Sequence, residues 1–163
     1  CQALLRTEKF EFILQKGVEL GVSVFVPFAS ERCVVRKPGE NKIARWRKII
    51  QEAAEQSGRA SLPALHPVVS FREACDSACG ASILLWEQEK SLSLSRILKE
   101  LPFRASQTFN VFIGPEGGLP PAEVAYAQSH GIVPVSLGRR ILRAETAGLA
   151  VVVALLYERG EFG

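Results

Sequence analysis

The chain has 163 residues, 47% of them hydrophobic and 23% charged, with a formal net charge of +3. That is enough for one domain with a full core, too little for two independent ones, and ordinary for a soluble globular protein. The longest apolar run, Ala147 to Leu156, is too short to span a bilayer, and Arg6, Glu8, Lys9 and Glu11 interrupt the N-terminus before the apolar region of a signal peptide could form.

In chain order, residues 7–20 suit a helix, with Thr7 as its N-cap and Gly21 just past its end. Val22 to Phe28 reads as a strand closed by Pro27, and Cys33 to Val35 as a short β-branched strand before a Lys37-Pro38-Gly39 turn. Asn41 is placed to cap a long helix, Lys42 to Ser57. Ile43, Trp46, Ile49, Ile50, Ala53 and Ala54 fall on one face of it, and Gly58 ends it. Leu62 to Pro67 is proline-broken and extended, Val68-Val69 a short strand, and Ser70 the cap of a helix running to about Ala78. Ala81 to Trp86 is a near-continuous apolar run of the kind a two-sided parallel strand shows. Ser93 to Glu100 predicts a short helix before Pro102.

The last third repeats one unit twice: apolar strand, glycine turn, helix. Val111-Phe112-Ile113 stops at Gly114-Pro115-Glu116-Gly117-Gly118, and a helix pattern starts around Pro120-Pro121-Ala122-Glu123. Val133 to Leu137 stops at Gly138-Arg139-Arg140, and a helix pattern runs from Leu142 to Tyr157. Strands alternating with helices argue for α/β, with a mainly parallel sheet and helices on both faces. In such sheets ligands lie outside the carboxyl ends of the strands, which puts both glycine loops at the expected crevice.

Four cysteines (Cys1, Cys33, Cys75, Cys79) do not make a disulfide framework. Cys75 and Cys79 sit four apart, but neither His66 nor His130 has ligand spacing to them, so we expect reduced, packing cysteines, no metal, and residence inside the cell. Between Arg32 and Lys48 there are seven basic residues and one acid, Glu40, a local positive patch. The chain has no methionine and begins at Cys1, and we expect it to be part of a longer gene product.

The glycines of Gly114-Pro115-Glu116-Gly117-Gly118 let backbone turn sharply and approach a flat ligand. The segment is neither the dinucleotide fingerprint nor a phosphate-binding P-loop. On its own it could equally be a tight strand-to-helix turn. The second loop says more. Arg143, inside the first turn of a helix, opposes the helix dipole unless something anionic lies nearby. Arg139 and Arg140 also read as solvated turn residues, and Glu145 and Thr146 as plain capping residues.

Together GPEGG, LGRRILRAETA, QKGVELGV, ERCVV and IIQEAAEQSGR resemble the RsmE family, over nearly the whole chain and in order. These are SPOUT-class methyltransferases with a C-terminal trefoil knot that methylate N3 of a uridine in small-subunit (16S) ribosomal RNA. Gly17 and Gly148 stand where the family more often has alanine, and Arg139 where it usually has proline. The resemblance implies one SPOUT domain over 1–163, without the family's N-terminal PUA-like RNA-binding barrel. It implies S-adenosylmethionine as cofactor, a homodimer with its active site near an interface formed by the last helix, and a cytoplasmic setting. Carried over, the cofactor would be held by Leu85, Trp86 and Glu87, by Ile113, Gly114, Pro115, Glu116, Gly117 and Gly118, and by Leu137, Gly138, Ile141, Leu142 and Arg143.

Methyl transfer to uracil N3 requires two oriented reactants and removal of the N3 proton. Arg143 is the candidate for stabilising the uracil anion. Glu116 and Glu145 are both candidates for the base, and the sequence does not choose between them. Arg32, Arg45, Lys48 and Arg59 are candidate RNA phosphate contacts, against the plainer reading of a solvated helix face. Two rival functions remain: a non-catalytic RNA-binding or ribosome-assembly module, and a SPOUT enzyme acting on another RNA or on a ribose 2′-hydroxyl.

Overall fold

Six parallel strands form one sheet, in the spatial order Val69–Ser70, Pro27–Ala29, Gln2–Ala3, Phe109–Ile113, Ala81–Leu85 and Val133–Val135. The computed structural model describes residues 1–35, 37–100 and 108–161; Arg36, part of the basic patch, and Pro102 lie outside them. In chain order the elements are β1 (Gln2–Ala3), α1 (Thr7–Glu19), β2 (Val24–Phe25), β3 (Pro27–Ala29), α2 (Glu40–Gln56), β4 (Ala64–Leu65), β5 (Val69–Ser70) and α3 (Phe71–Asp76). They continue with β6 (Ala81–Leu85), α4 (Leu94–Glu100), β7 (Phe109–Ile113), α5 (Pro121–Ser129), β8 (Val133–Val135) and α6 (Ala144–Glu158). The longest pairing is β6 against β7, in register from Ala81↔Phe109 to Leu85↔Ile113, and β2 pairs with β4 in a small second sheet.

The alternation of side chains along these strands divides the interior. Ile83, Val111, Ile113 and Val135 point to one side, against Ile97 and Leu98 of α4 and Ala147, Val151 and Leu155 of α6. Those three α6 residues recur every four positions, the stripe a helix must bury. Leu84 and Phe112 point to the other side, where Phe28, Phe71 and Phe112 meet at ring-centroid distances of 5.4 and 6.3 Å, next to Val124 and Ala127 of α5. Phe10 of α1 stacks on Trp46 of α2 at 4.3 Å, joining those helices. Each such fully buried large side chain contributes about 1.5–3 kcal/mol of transfer free energy. The helix-covered parallel sheet is the α/β arrangement expected.

Several local expectations need correction. Gln2–Ala3, in no predicted element, is the strand between β3 and β7, with Leu4 N–H donating to Phe28 O at 2.9 Å. The single strand expected over Val22–Phe28 is two strands in different sheets. Pro27 opens the second rather than closing the first, a strand-initial position that leaves no ladder donor wanting. Cys33–Val35 is not a strand: Ser30 O accepts from Cys33 N–H at 3.1 Å, closing a turn, and Glu123 of α5 anchors it through Ser30 Oγ (2.6 Å) and Glu31 N–H (3.0 Å).

Helix starts also differ from those expected. Arg6, not Thr7, precedes the first turn of α1, and Thr7 Oγ1 instead accepts from Lys42 Nζ at 2.9 Å. Gly39, not Asn41, precedes α2, and α6 begins at Ala144 rather than Leu142. Ser70 does cap α3, in a reciprocal box with Glu73, although that helix stops at Asp76. The two unusual glycines have a steric reason here. A Cβ on Gly17 would come within 2.7 Å of the Phe25 ring, and one on Gly148 within 3.1 Å of Ile113 Cδ1.

Candidate active site

The loops that follow β6, β7 and β8 meet around one cavity of about 520 Å³, at the carboxyl ends of the three strands. Every residue carried over as a cofactor contact lines it: Leu85, Trp86 and Glu87 from the first loop, Ile113 to Gly118 from the second, and Leu137, Gly138, Ile141, Leu142 and Arg143 from the third. Backbone bonds fasten the loops to one another. Trp86 N–H donates to Val135 O at 3.1 Å, and Ser136 exchanges bonds with Leu92 and Leu94 at 2.8 and 2.9 Å.

The glycine turn after β7 is required by what surrounds it. Gly118 has φ +69°, a conformation L side chains rarely adopt, and a Cβ there would lie 2.6 Å from Glu87 Oε1. Gly118 N–H donates back to Pro115 O at 2.9 Å, closing the turn. Arg32 reaches over the turn and donates from Nη1 to Gly117 O at 3.0 Å. Gly138, at φ +96°, turns the third loop away from β8, with its N–H on Ser136 Oγ at 3.2 Å.

The charged groups of the cavity form a chain. Lys9 Nζ stands 3.2 Å from Glu116 Oε1 and 3.6 Å from Glu145 Oε2, and Glu145 Oε1 lies 3.9 Å from Arg143 Nη1. The Glu145 side chain is 14% exposed and that of Arg143 81%, so an inner carboxylate carries an outer guanidinium at the rim. Arg143 is the N-cap residue of α6 with extended backbone, not a member of the first turn, and no side chain caps that helix. Ile141 is 84% exposed beside it, a large apolar side chain open at the rim. Trp86 Nε1 is buried and has no hydrogen-bond partner among the described residues.

The sequence reading did not single out Lys9, Leu119, Val135, Ser136, Ala144 or Ala147, which also line the cavity, and it weighed Arg140, another lining residue, as a solvated turn residue. For Lys9 a signal existed: a cation in the first turn of a helix, where the dipole disfavours it. The basic residues expected to meet phosphate do not gather. Arg32 is at the glycine turn. Arg45 is held by both oxygens of Glu11 (2.7 and 2.9 Å), Lys48 pairs with Glu52 at 3.6 Å, and Arg59 donates to Val18 O and Val22 O at 3.2 and 2.6 Å. All four cysteines are unpaired thiols; burial pushes Cys75 up to about 12 and raises Cys33 as well. Among the described residues there is no group of three or more potential metal ligands, and no helix long and apolar enough to cross a membrane.

The chain resembles known proteins in sequence and in fold. The chain is 40% identical over 167 residues to the ribosomal RNA small subunit methyltransferase E of Bacillus subtilis, covering 97% of this chain and 64% of that protein. It is 38% identical to the protein of the same name in Synechocystis, covering 94% of this chain and 52% of that one. The crystal structure of a ribosomal RNA small subunit methyltransferase E from Neisseria gonorrhoeae bound to S-adenosyl methionine superposes with a TM-score of 0.85 at 35% identity, over 96% of this chain and 63% of that one. The chain thus spans roughly half to two thirds of these relatives. A family model described as the RNA methyltransferase domain matches residues 1–156, so the three loops lie inside it, and the chain belongs to that family.

Proposed function

We propose that the chain is the catalytic domain of an S-adenosylmethionine-dependent methyltransferase that methylates N3 of a uridine in small-subunit ribosomal RNA. The observation that carries this reading is the convergence of the three loops on one cavity, in a chain whose relatives are named for that class of RNA. The cavity suits the cofactor. Its volume of about 520 Å³ falls within the range of small-molecule sites. Leu137, Ile141 and Leu142 offer apolar surface to the faces of an adenine, glycine backbone offers bonds to its edges, and Trp86 Nε1 is a buried donor with no partner among the described residues. Glu116 and Glu145 provide negative charge for a ligand that carries a sulfonium and an ammonium.

Bound there, S-adenosylmethionine would supply an electrophilic methyl group. The chain's own residues would orient a uracil toward it, accept the N3 proton and stabilise the charge left on the ring. Glu116 or Glu145 accepts the proton, and Arg143, at the rim beside Glu145, faces the anion. Arg32 at the glycine turn and the exposed Arg139 and Arg140 form the phosphate-contacting rim. Arg45, Lys48 and Arg59 are already committed to partners within the chain, so for them the solvated or structural role is preferred.

The same reading includes the trefoil knot in the segment that leaves β8, a single SPOUT domain, a cytoplasmic setting and a homodimer. The exposed Val153 and Tyr157 on α6 support a partner against that helix. The test is to incubate the protein with methyl-labelled cofactor and small ribosomal subunits, then digest the RNA to nucleosides. Label on N3 of uridine is expected. Label on a ribose hydroxyl, or none, would overturn the reading.

A further inference from the structure

Lys9 belongs to none of the loops that enclose the cavity, yet its ammonium lies against the cavity wall. It comes from the first turn of α1, and its two carboxylate neighbours come from different places: Glu116 follows β7, and Glu145 stands in the first turn of α6. Glu145 Oε2 is buried and accepts no hydrogen bond among the described residues. The ammonium at 3.6 Å is therefore the charge that offsets its desolvation, while Arg143 faces the other oxygen at 3.9 Å. Conversely, the two carboxylates relieve a cation that the α1 dipole disfavours.

We propose that Lys9 is a positioning residue of the cofactor pocket. Its ammonium ties the carboxylate of the β7 loop to the carboxylate at the start of α6, and so sets the spacing of the two glycine loops. Without it, Glu116 and Glu145 carry like charge on the same cavity wall with, among the described residues, Arg143 beside one of them, and repulsion moves the loops apart. The inference rests on the S-adenosylmethionine reading for its ligand, but not for the tie itself, which exists in the free protein.

The experiment pairs Lys9→Met, which keeps an unbranched apolar stem, with Lys9→Arg and with Lys16→Met. Lys16 lies on the same helix and pairs with Glu19 at 2.8 Å, so its loss removes one positive charge without touching the cavity. One readout is amide exchange at Glu116, Gly117 and Gly118 in the ligand-free protein. The other is calorimetric affinity for S-adenosylmethionine, with circular dichroism to check folding.

Lys9→Met should speed exchange at those amides and weaken affinity roughly five-fold, the scale of a partly exposed ion pair. Lys9→Arg should recover most of both, and Lys16→Met should change neither. Glu116→Gln added to Lys9→Met should cost less than it does alone, because the pair acts as a unit. Exchange and affinity equal to wild type in Lys9→Met would overturn the proposal, as would an equal effect from Lys16→Met. If wild type takes up no cofactor, the functional reading fails while the exchange arm still decides Lys9.

Discussion

Two cavities among the described residues are of similar size and opposite character. The first, about 520 Å³, lies at the ends of β6, β7 and β8 and brings together two glycine turns, three carboxylates and a rim of arginines. The second, about 470 Å³, lies between α1, β2 and α6 and is walled mainly by Ile13, Leu20, Phe25, Leu149, Val152 and Leu156. Ile113 and Glu145 contribute to both, so barely one layer of side chains divides them. Volume alone would not choose between the two. What distinguishes the first is backbone held where only glycine fits, and charges that compensate one another across loops far apart in sequence. The second lies where α1 and α6 approach each other, with Gly17, set against Phe25, and Gly148, set against Ile113, in its lining.

Three substitutions test that distinction. The largest effect should come from Gly118→Val. It places a branched side chain at φ +69° and drives Cβ into Glu87, so cofactor affinity should fall about a hundred-fold by calorimetry while the chain stays folded. Next, Arg143→Ala should lower the single-turnover rate of methyl transfer about a hundred-fold and leave cofactor affinity within a few-fold, because the guanidinium acts on the developing charge. The smallest effect should follow Leu20→Phe, which partly fills the second cavity: affinity and rate should stay within about two-fold and stability should change by less than about 1.5 kcal/mol. A loss of cofactor affinity there equal to that of Gly118→Val would erase the contrast between the cavities.

The first cavity was the more legible of the two in sequence, for a physical reason. Gly114-Pro115-Glu116-Gly117-Gly118 and Leu137-Gly138 follow apolar runs directly, so local chemistry alone puts them at strand tips, and the strand-tip rule for open sheets brings them together. Arg143 was found because a cation at a helix start is a local anomaly. Lys9 carries the same anomaly, but its partners are 107 and 136 positions away, and no short-range pattern records such a pairing. The central strand Gln2–Ala3 is two residues long, too short for a period; its place depends on β3 and β7 forming on either side. Pro27 was misread as a stop because a strand-initial proline and a strand-ending one look alike until the partner strand is known. The second cavity is a by-product of α1 meeting α6, and nothing in either segment alone announces it.

The measurement that tests the central claim most directly is calorimetric titration of the wild-type protein with S-adenosylmethionine, alongside Gly118→Val. Binding in the wild type at one site per chain, lost in the variant, is the result this account predicts. No heat of binding in the wild type, or equal binding in both proteins, would contradict it.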